Sequence, residues 1–303
     1  MSRHEKPTPS PKVSIGMPVY NGGKYIREAL DSLLAQTFTD FELIISDNAS
    51  IDETPTICRR YAARDPRIRY VRQRENCGYM ANFHFVLDEA GGGYFMWAAA
   101  DDRWDIGWLA ALVKRLDPSV SVAFGSIVHF QDDDKKGSRI TLNPLRGSRI
   151  LRILRYYFWS EWGPKPNVIY GLYRTTELRK AATETLGQAD NRFGFDNILV
   201  FRMLQIGCLN IEPSVTFYKR SNSGLIGSQS TLRTRLLVWS QFVRYFLEYI
   251  RRSPPGATRC AVLAATTIKY GWLVCKMLRR AAALFLRYVR IYVRQKIPSA
   301  GQT

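Results

Sequence analysis

Two aspartates stand side by side at Asp101-Asp102, just after the apolar stretch Tyr94–Ala99. Adjacent carboxylates repel each other unless a cation shares them. Their hard oxygens suit Mg2+ or Mn2+, bridging to diphosphate oxygens. The bland alternative is a solvated acidic turn ahead of a helix. Polar clusters also interrupt the apolar runs at Pro18-Val19-Tyr20-Asn21, at Ser46-Asp47-Asn48-Ala49-Ser50, and at Arg74, Asn76 and Gly78. Asp47 has an alternative reading as an Asx turn opening a loop, and Arg74 one as a surface charge. Asp196 precedes the apolar run Ile198–Val200, at a helix start that favours a carboxylate whatever its chemistry.

The elements around these residues follow from periodicity. Val13–Val19, Phe41–Ser46, Ile68–Val71, Tyr94–Ala99 and Val120–Phe130 are short apolar runs and read as strands. Between them, Tyr25–Gln36, the stretch from Asp52 to about Ala63, Ala81–Glu89 and Ile106–Leu116 carry helical spacing. This alternation over the first 130 residues predicts an α/β fold, Rossmann-like, with a mostly parallel mixed sheet flanked by helices. In such sheets ligands bind beyond the carboxyl ends of the strands, where Tyr20, Asp47 and Asp101-Asp102 fall. Further on, Ile150–Trp159 reads as helix, Asn167–Tyr173 as strand, Phe195–Leu204 as helix and Leu209–Tyr218 as strand. From Thr231 onward the pattern is helical, broken at Ser253-Pro254-Pro255-Gly256.

Composition narrows the class. The chain has 303 residues, 46% of them hydrophobic, enough for a large core and against wholesale disorder. Its formal charge is 44 − 26 = +18. Residues 231–303 hold 14 Lys and Arg against Glu248 alone, so that segment carries +13 and the rest +5. The five cysteines form no CxxC pair, which argues against a zinc site or disulfide framework and for a reducing cytosol. The start, MSRHEKPTPSPK, has no apolar core of a signal peptide. The most apolar late stretch, Cys260–Cys275, contains Lys269 and makes a poor spanning helix.

Taken in order, PVYN, SDNASIDET, ENCGYMAN and AAADDRW resemble the family-2 glycosyltransferases of GT-A fold, over roughly residues 12–225. The resemblance implies an inverting transfer of a sugar from a nucleoside-diphosphate sugar to an acceptor hydroxyl. It implies that Pro18, Val19 and Tyr20 line the base, Asp47 accepts a base N–H, Asp101 touches ribose or metal, and Asp102 binds the metal. A carboxylate at Asp47 matches the N3–H of uracil, although guanine also offers an N–H, so a uridine diphosphate sugar is favoured. Asn76 and Gly78 would form a tight loop near the nucleotide, with Arg74 within reach of a phosphate. The family's general base matches Asp196.

The chain departs from the family pattern in several places. Phe195 stands where an acidic neighbour of the base is usual, and Arg103 follows the aspartate pair in place of a carboxylate or Asn. Where many relatives carry a His, the late loop reads Tyr218-Lys219-Arg220, so Lys219 or Arg220 is the expected partner of the departing diphosphate. The Q/R-x-x-R-W motif of processive polysaccharide synthases is absent, which favours single-sugar addition in polysaccharide biosynthesis. Trp159 and Trp162 are candidate acceptor contacts, since aromatic faces pack on sugar C–H surfaces; Trp97, on a strand, reads as core and His84 as a helix-surface residue.

Lys269, Lys276, Arg280, Arg287, Arg290 and Arg294 share one helical face, with Val274, Leu278, Phe285, Val289 and Tyr292 opposite. A basic amphipathic helix is drawn to anionic lipid, so residues 258–297 are the expected contact with an anionic membrane surface. A helix docked on the catalytic domain with a solvated basic side is the other reading. No nucleic-acid motif accompanies the charge, and nucleic acid is not an expected partner. The expectation is a catalytic domain over 1–230 and a helical membrane segment over 231–303. The protein would be cytoplasmic and peripheral on the inner face of the membrane, with a glycan or lipid-linked acceptor. A catalytically inert, membrane-associated relative is the rival reading; the intact Asp47, Asp102 and Asp196 argue against it.

Overall fold

The computed structural model describes residues 11–132, 136–160, 164–186, 194–221, 245–271 and 279. The chain divides into two compact units, 1–252 and 253–303. In the first, β1 (Val13–Val19), β2 (Phe41–Asp47), β3 (Ile68–Arg72) and β4 (Tyr94–Trp97) pair in parallel, in the order β3-β2-β1-β4. Val13, Ile15 and Met17 of β1 and Leu43, Ile44 and Ile45 of β2 are wholly buried. Strands covered on both faces read as continuous apolar runs, which is why their limits were legible. Helices α1 (Ile26–Leu34), α2 (Thr54–Ala62) and α3 (Tyr79–Asp88) connect them. Ile26, Ala29, Leu30 and Leu33 give α1 one buried stripe at three-and-four spacing.

Beyond β4 the sheet becomes mixed. The two-residue β5 (Arg103–Trp104) and α4 (Trp108–Val113) lead into the long β6 (Val120–Phe130) and its hairpin partner β7 (Lys136–Ile140). Then follow α5 (Arg149–Phe158), a 3-10 turn (Lys165–Tyr170), β8 (Leu172–Arg174), α6 (Thr175–Leu186), α7 (Phe195–Ile206) and β9 (Cys208–Arg220). The full order is β3-β2-β1-β4-β8-β6-β9-β5, with β7 off β6. The expected strand Asn167–Tyr173 is replaced by the 3-10 turn and a three-residue strand. Pro164 and Pro166 hold φ near the value a turn needs, and the Tyr173 hydroxyl donates to the Val168 carbonyl at 2.6 Å, closing the turn. Helix α6 and the strands β5 and β7 lie in polar stretches whose periodicity is weak, and sequence reading passed over them.

Residues 245–251 are helical and belong to the first unit. Tyr249 there packs edge-on against Phe201 of α7 and Tyr157 of α5, at 4.7 and 5.0 Å between ring centroids. In the second unit residues 257–271 are helical, with Leu263 and Ile268 exposed. Among the described residues no helix is long and apolar enough to cross a membrane. Of the basic face, Lys276, Arg280, Arg287, Arg290 and Arg294 lie outside the described residues.

Candidate active site

The loops after β1 and β2 are knitted together. Asn21 donates its backbone N–H to the Ser50 hydroxyl, and its side-chain oxygen accepts from Ile51 N–H, both at 2.9 Å. Both turns bend through left-handed residues, Asn21 (φ 52°) and Ala49 (φ 59°). Asp47 is wholly buried between them. Its Oδ1 accepts from Ser50 N–H at 2.8 Å and its Oδ2 from the Tyr70 hydroxyl at 2.7 Å, with Arg72 Nε at 3.6 Å. The Asx-type bond expected of a plain loop residue is thus present. A carboxylate has about four acceptor positions, so these two bonds leave capacity. Tyr20 stands exposed, Pro18 half-buried and Val19 buried at the strand end.

Asn48, which sequence reading passed over, ties the third motif to the second. It is buried, donates to Asn76 Oδ1 at 2.9 Å and accepts from Cys77 N–H at 2.9 Å. Asn76 Oδ1 also takes the Gly78 N–H at 2.9 Å. Gly78 has φ +83°, a conformation L side chains rarely adopt, as the chain turns into α3. The structure therefore brings Asn76 and Gly78 to the end of β2, with Arg74 exposed on the same loop. The Asp-Asn pair in SDNAS was the available signal, because Asn can brace a neighbouring loop through both donor and acceptor.

Asp102 is wholly buried; its Oδ2 accepts from Lys219 Nζ and its Oδ1 from Arg220 N–H, each at 2.9 Å. Burial pushes the Asp102 carboxyl up to about 7, aided by Asp101 and opposed by Lys219 and the Arg220 N–H. Burial acts to lower Lys219, but Tyr170, Asp102 and Asp101 outweigh it and hold the ammonium charged. Arg220, a candidate for the diphosphate, is itself buried and spread over protein acceptors. Its guanidinium donates to the Asp101 carbonyl, to Asp132 at 2.9 Å and to Glu28 at 2.8 Å, and lies over the Tyr25 and Phe130 rings. It clamps the loop from below, while Lys219 remains partly open to solvent.

The chain enters α7 through Gly194 at φ +72°, where a Cβ would overlap the Tyr245 ring. Gly194, not Asp196, is the residue at the cap position; Asp196 is the second residue of the helix, half-buried, its Oδ1 accepting from Asn197 N–H at 2.8 Å. The charge of Asp196 acts on the Tyr170 hydroxyl together with those of Asp101, Asp102 and Lys219. Phe195 packs against Tyr79 and Phe83 at 5.8 and 5.7 Å. Trp159 rests on Tyr156 at 5.6 Å, and the Tyr156 hydroxyl donates to Asn197 at 3.1 Å. With Leu154, Arg155 and Phe158, Trp159 lines a groove of about 570 Å3. Trp162 lies outside the described residues. Trp97 is core, and His84 faces Asp88 on its own helix at 3.7 Å.

Among the described residues no group of three His, Cys, Asp or Glu converges as a metal cage. The donor set fits a different arrangement: two hard carboxylates, with the remaining ligands supplied by diphosphate and water, as Mg2+ and Mn2+ accept. Asp101 and Asp102 would hold such an ion.

A twisted mixed sheet with helices on both faces, and an aspartate pair after β4, define a GT-A glycosyltransferase fold. Residues 14–176 match Glycosyl transferase family 2, and the chain belongs to that family. Among curated relatives, Glycosyltransferase GlyA of Streptococcus pneumoniae is 28% identical over 56% of this chain and 23% of its own length. An uncharacterized protein of Mycobacterium tuberculosis is 41% identical over 44% of this chain and 40% of its own. The chain therefore spans less than half the length of these relatives. Among solved structures, S. aureus TarS 1-349 in complex with UDP-GlcNAc superposes with a TM-score of 0.59 at 19% identity, over 84% of this chain and 71% of that one. The mannosyltransferase PcManGT of Pyrobaculum calidifontis, in complex with GDP-Man and Mn2+, gives 0.54 at 20%, over 92% and 82%.

Proposed function

We propose that the protein is an inverting, metal-dependent glycosyltransferase that moves a sugar from a nucleoside-diphosphate sugar, a uridine diphosphate sugar in the first instance, to a hydroxyl of a glycan or lipid-linked acceptor. The observation that carries this reading is the match of residues 14–176 to Glycosyl transferase family 2, together with Lys219 placed 2.9 Å from Asp102 and 5.3 Å from the Tyr170 ring centroid. Pro18, Val19 and Tyr20 form the wall against the base, and Asp47 accepts its N–H. A divalent ion bound with the donor would offset diphosphate charge. Lys219 adds a fixed positive charge for the leaving group. Asp196 takes the acceptor proton as the acceptor oxygen bonds to the anomeric carbon; the electron pair of the breaking C–O bond leaves with the diphosphate, and the configuration inverts. Trp159 offers a face to the acceptor. The basic segment 258–297 holds the enzyme on an anionic membrane, at the cytoplasmic face, with the catalytic domain in the first unit, which extends past 230 to Arg252.

Neighbours of the same fold bind uridine and guanosine nucleotides, so the test spans both. A panel of UDP- and GDP-sugars is screened for thermal stabilisation and donor hydrolysis, with and without Mn2+. Stabilisation by a nucleotide only in the presence of Mn2+ is expected. No response to any donor, with or without the ion, overturns the reading.

A further inference from the structure

Tyr170 closes the 3-10 turn Lys165–Tyr170, and its sequence context does not single it out. Its ring lies on Phe217 at 5.3 Å. The Lys219 ammonium stands 5.3 Å from the Tyr170 ring centroid and 2.9 Å from Asp102 Oδ2. The backbone here is held firmly, because Gly171 N–H and the Tyr173 hydroxyl both donate to the Val168 carbonyl. A phenol in such surroundings normally finds a hydrogen-bond partner. Other tyrosines of the first unit do: Tyr70 donates to Asp47, Tyr25 to Asp132 and Tyr173 to Val168. The Tyr170 side chain is half-buried, and its hydroxyl makes no hydrogen bond to the described residues and is not a sealed-off atom, so it is open to solvent beside Lys219.

Burial leads in holding this phenol up to about 12, with Lys219 pulling the other way and Asp102, Asp101 and Asp196 reinforcing. The O–H is therefore a neutral donor throughout the physiological range. A phenol O–H whose ring lies beside an ammonium suits an anionic oxygen. No described carboxylate accepts this hydrogen, which leaves it open to an oxygen of a ligand.

We propose that the Tyr170 hydroxyl donates a hydrogen bond to a non-bridging oxygen of the nucleoside diphosphate, next to Lys219, and so binds the leaving group. This inference rests on the glycosyltransferase reading above. Fixed donors aimed at growing charge are among the strongest contributors to catalysis.

Tyr170→Phe keeps the ring on Phe217 and under Lys219 while removing the donor. Binding of UDP and of GDP, each with Mn2+, is measured by calorimetry on the full chain, with Asp102→Asn in parallel. The nucleotide that binds the wild type is expected to bind Tyr170→Phe about 10- to 100-fold more weakly, the worth of a hydrogen bond to a charged group. The unfolding temperature of the variant is expected to be unchanged or higher, because the lost hydroxyl had no protein partner. Affinity within twofold of wild type overturns the assignment, as does a fall in unfolding temperature of several degrees, which would make the hydroxyl structural. If Asp102→Asn loses the nucleotide and Tyr170→Phe keeps it, the site stands and the role of Tyr170 falls. If the wild type binds neither nucleotide, the functional reading and this inference fall together.

Discussion

The Lys219 ammonium sits 2.9 Å from Oδ2 of Asp102, across 117 residues of sequence. Any cation that Asp102 binds must share that oxygen with Lys219 or move the ammonium aside. Lys219→Met is expected to leave the buried carboxylate uncompensated and to destabilise the fold by about 1–3 kcal/mol. Mn2+ should then raise the unfolding temperature of the variant more than that of the wild type. Equal shifts in both proteins would show that the ion does not use Asp102.

Asp102→Asn removes the negative charge that a hard divalent cation requires. Nucleotide binding is expected to lose its dependence on Mn2+, while the neutral side chain can still accept from Arg220 N–H. Calorimetric titrations with and without EDTA check this. Full metal-dependent affinity in the variant sends the metal site elsewhere.

Asp47 holds Ser50 N–H and the Tyr70 hydroxyl, so its removal acts on the fold as well as on the nucleotide. Asp47→Ala is expected to weaken uridine diphosphate binding by about 1.5–3 kcal/mol, a charge-assisted hydrogen bond. Tyr70→Phe is the control, since it removes one internal bond and leaves the carboxylate. If a folded Asp47→Ala binds the nucleotide as tightly as the control, Asp47 is a loop-forming residue only.

Asp196→Asn is nearly isosteric, and the helix start is already made by Gly194. Stability and donor affinity should therefore persist while transfer falls about 10²- to 10⁴-fold, the usual contribution of a general base. Glu184, paired with Arg202, is a nearby alternative, and its neutral variant should do far less. Wild-type transfer by Asp196→Asn would be decisive against the assignment.

The second unit is the expected membrane contact, and the first carries the helical residues 245–251 in its core. The informative truncation therefore removes 253–303 rather than everything after Ser230. The shortened protein is expected to stay off vesicles containing anionic lipid, and salt should weaken binding of the intact chain. Equal vesicle binding by both forms would favour a helix docked on the catalytic domain.

The alternation of strands and helices through residue 130 was legible because burial on both faces writes an apolar run into each of β1, β2 and β6. Asp47, Asp102 and Asp196 stood out as candidates by sequence because they are polar residues that interrupt the apolar pattern at strand ends and a helix start. Tertiary pairing decided the rest. The parallel register of β6 with β9 aligns Phe130 with Arg220, and β5 crosses β9 at Tyr218, which brings Lys219 onto Asp102. Arg220 looked like a free cation by sequence; its neighbours Glu28, Asp101 and Asp132 come from three separate segments that only the folded sheet assembles. Asn48 braces Asn76 for the same reason, through a contact 28 residues long. Tyr170 carried no local signal at all, since the residues against its ring, Phe217 and Lys219, come from β9. Local periodicity records whether a residue is buried, whereas its partners are set by strand order and register, which no short window of sequence contains.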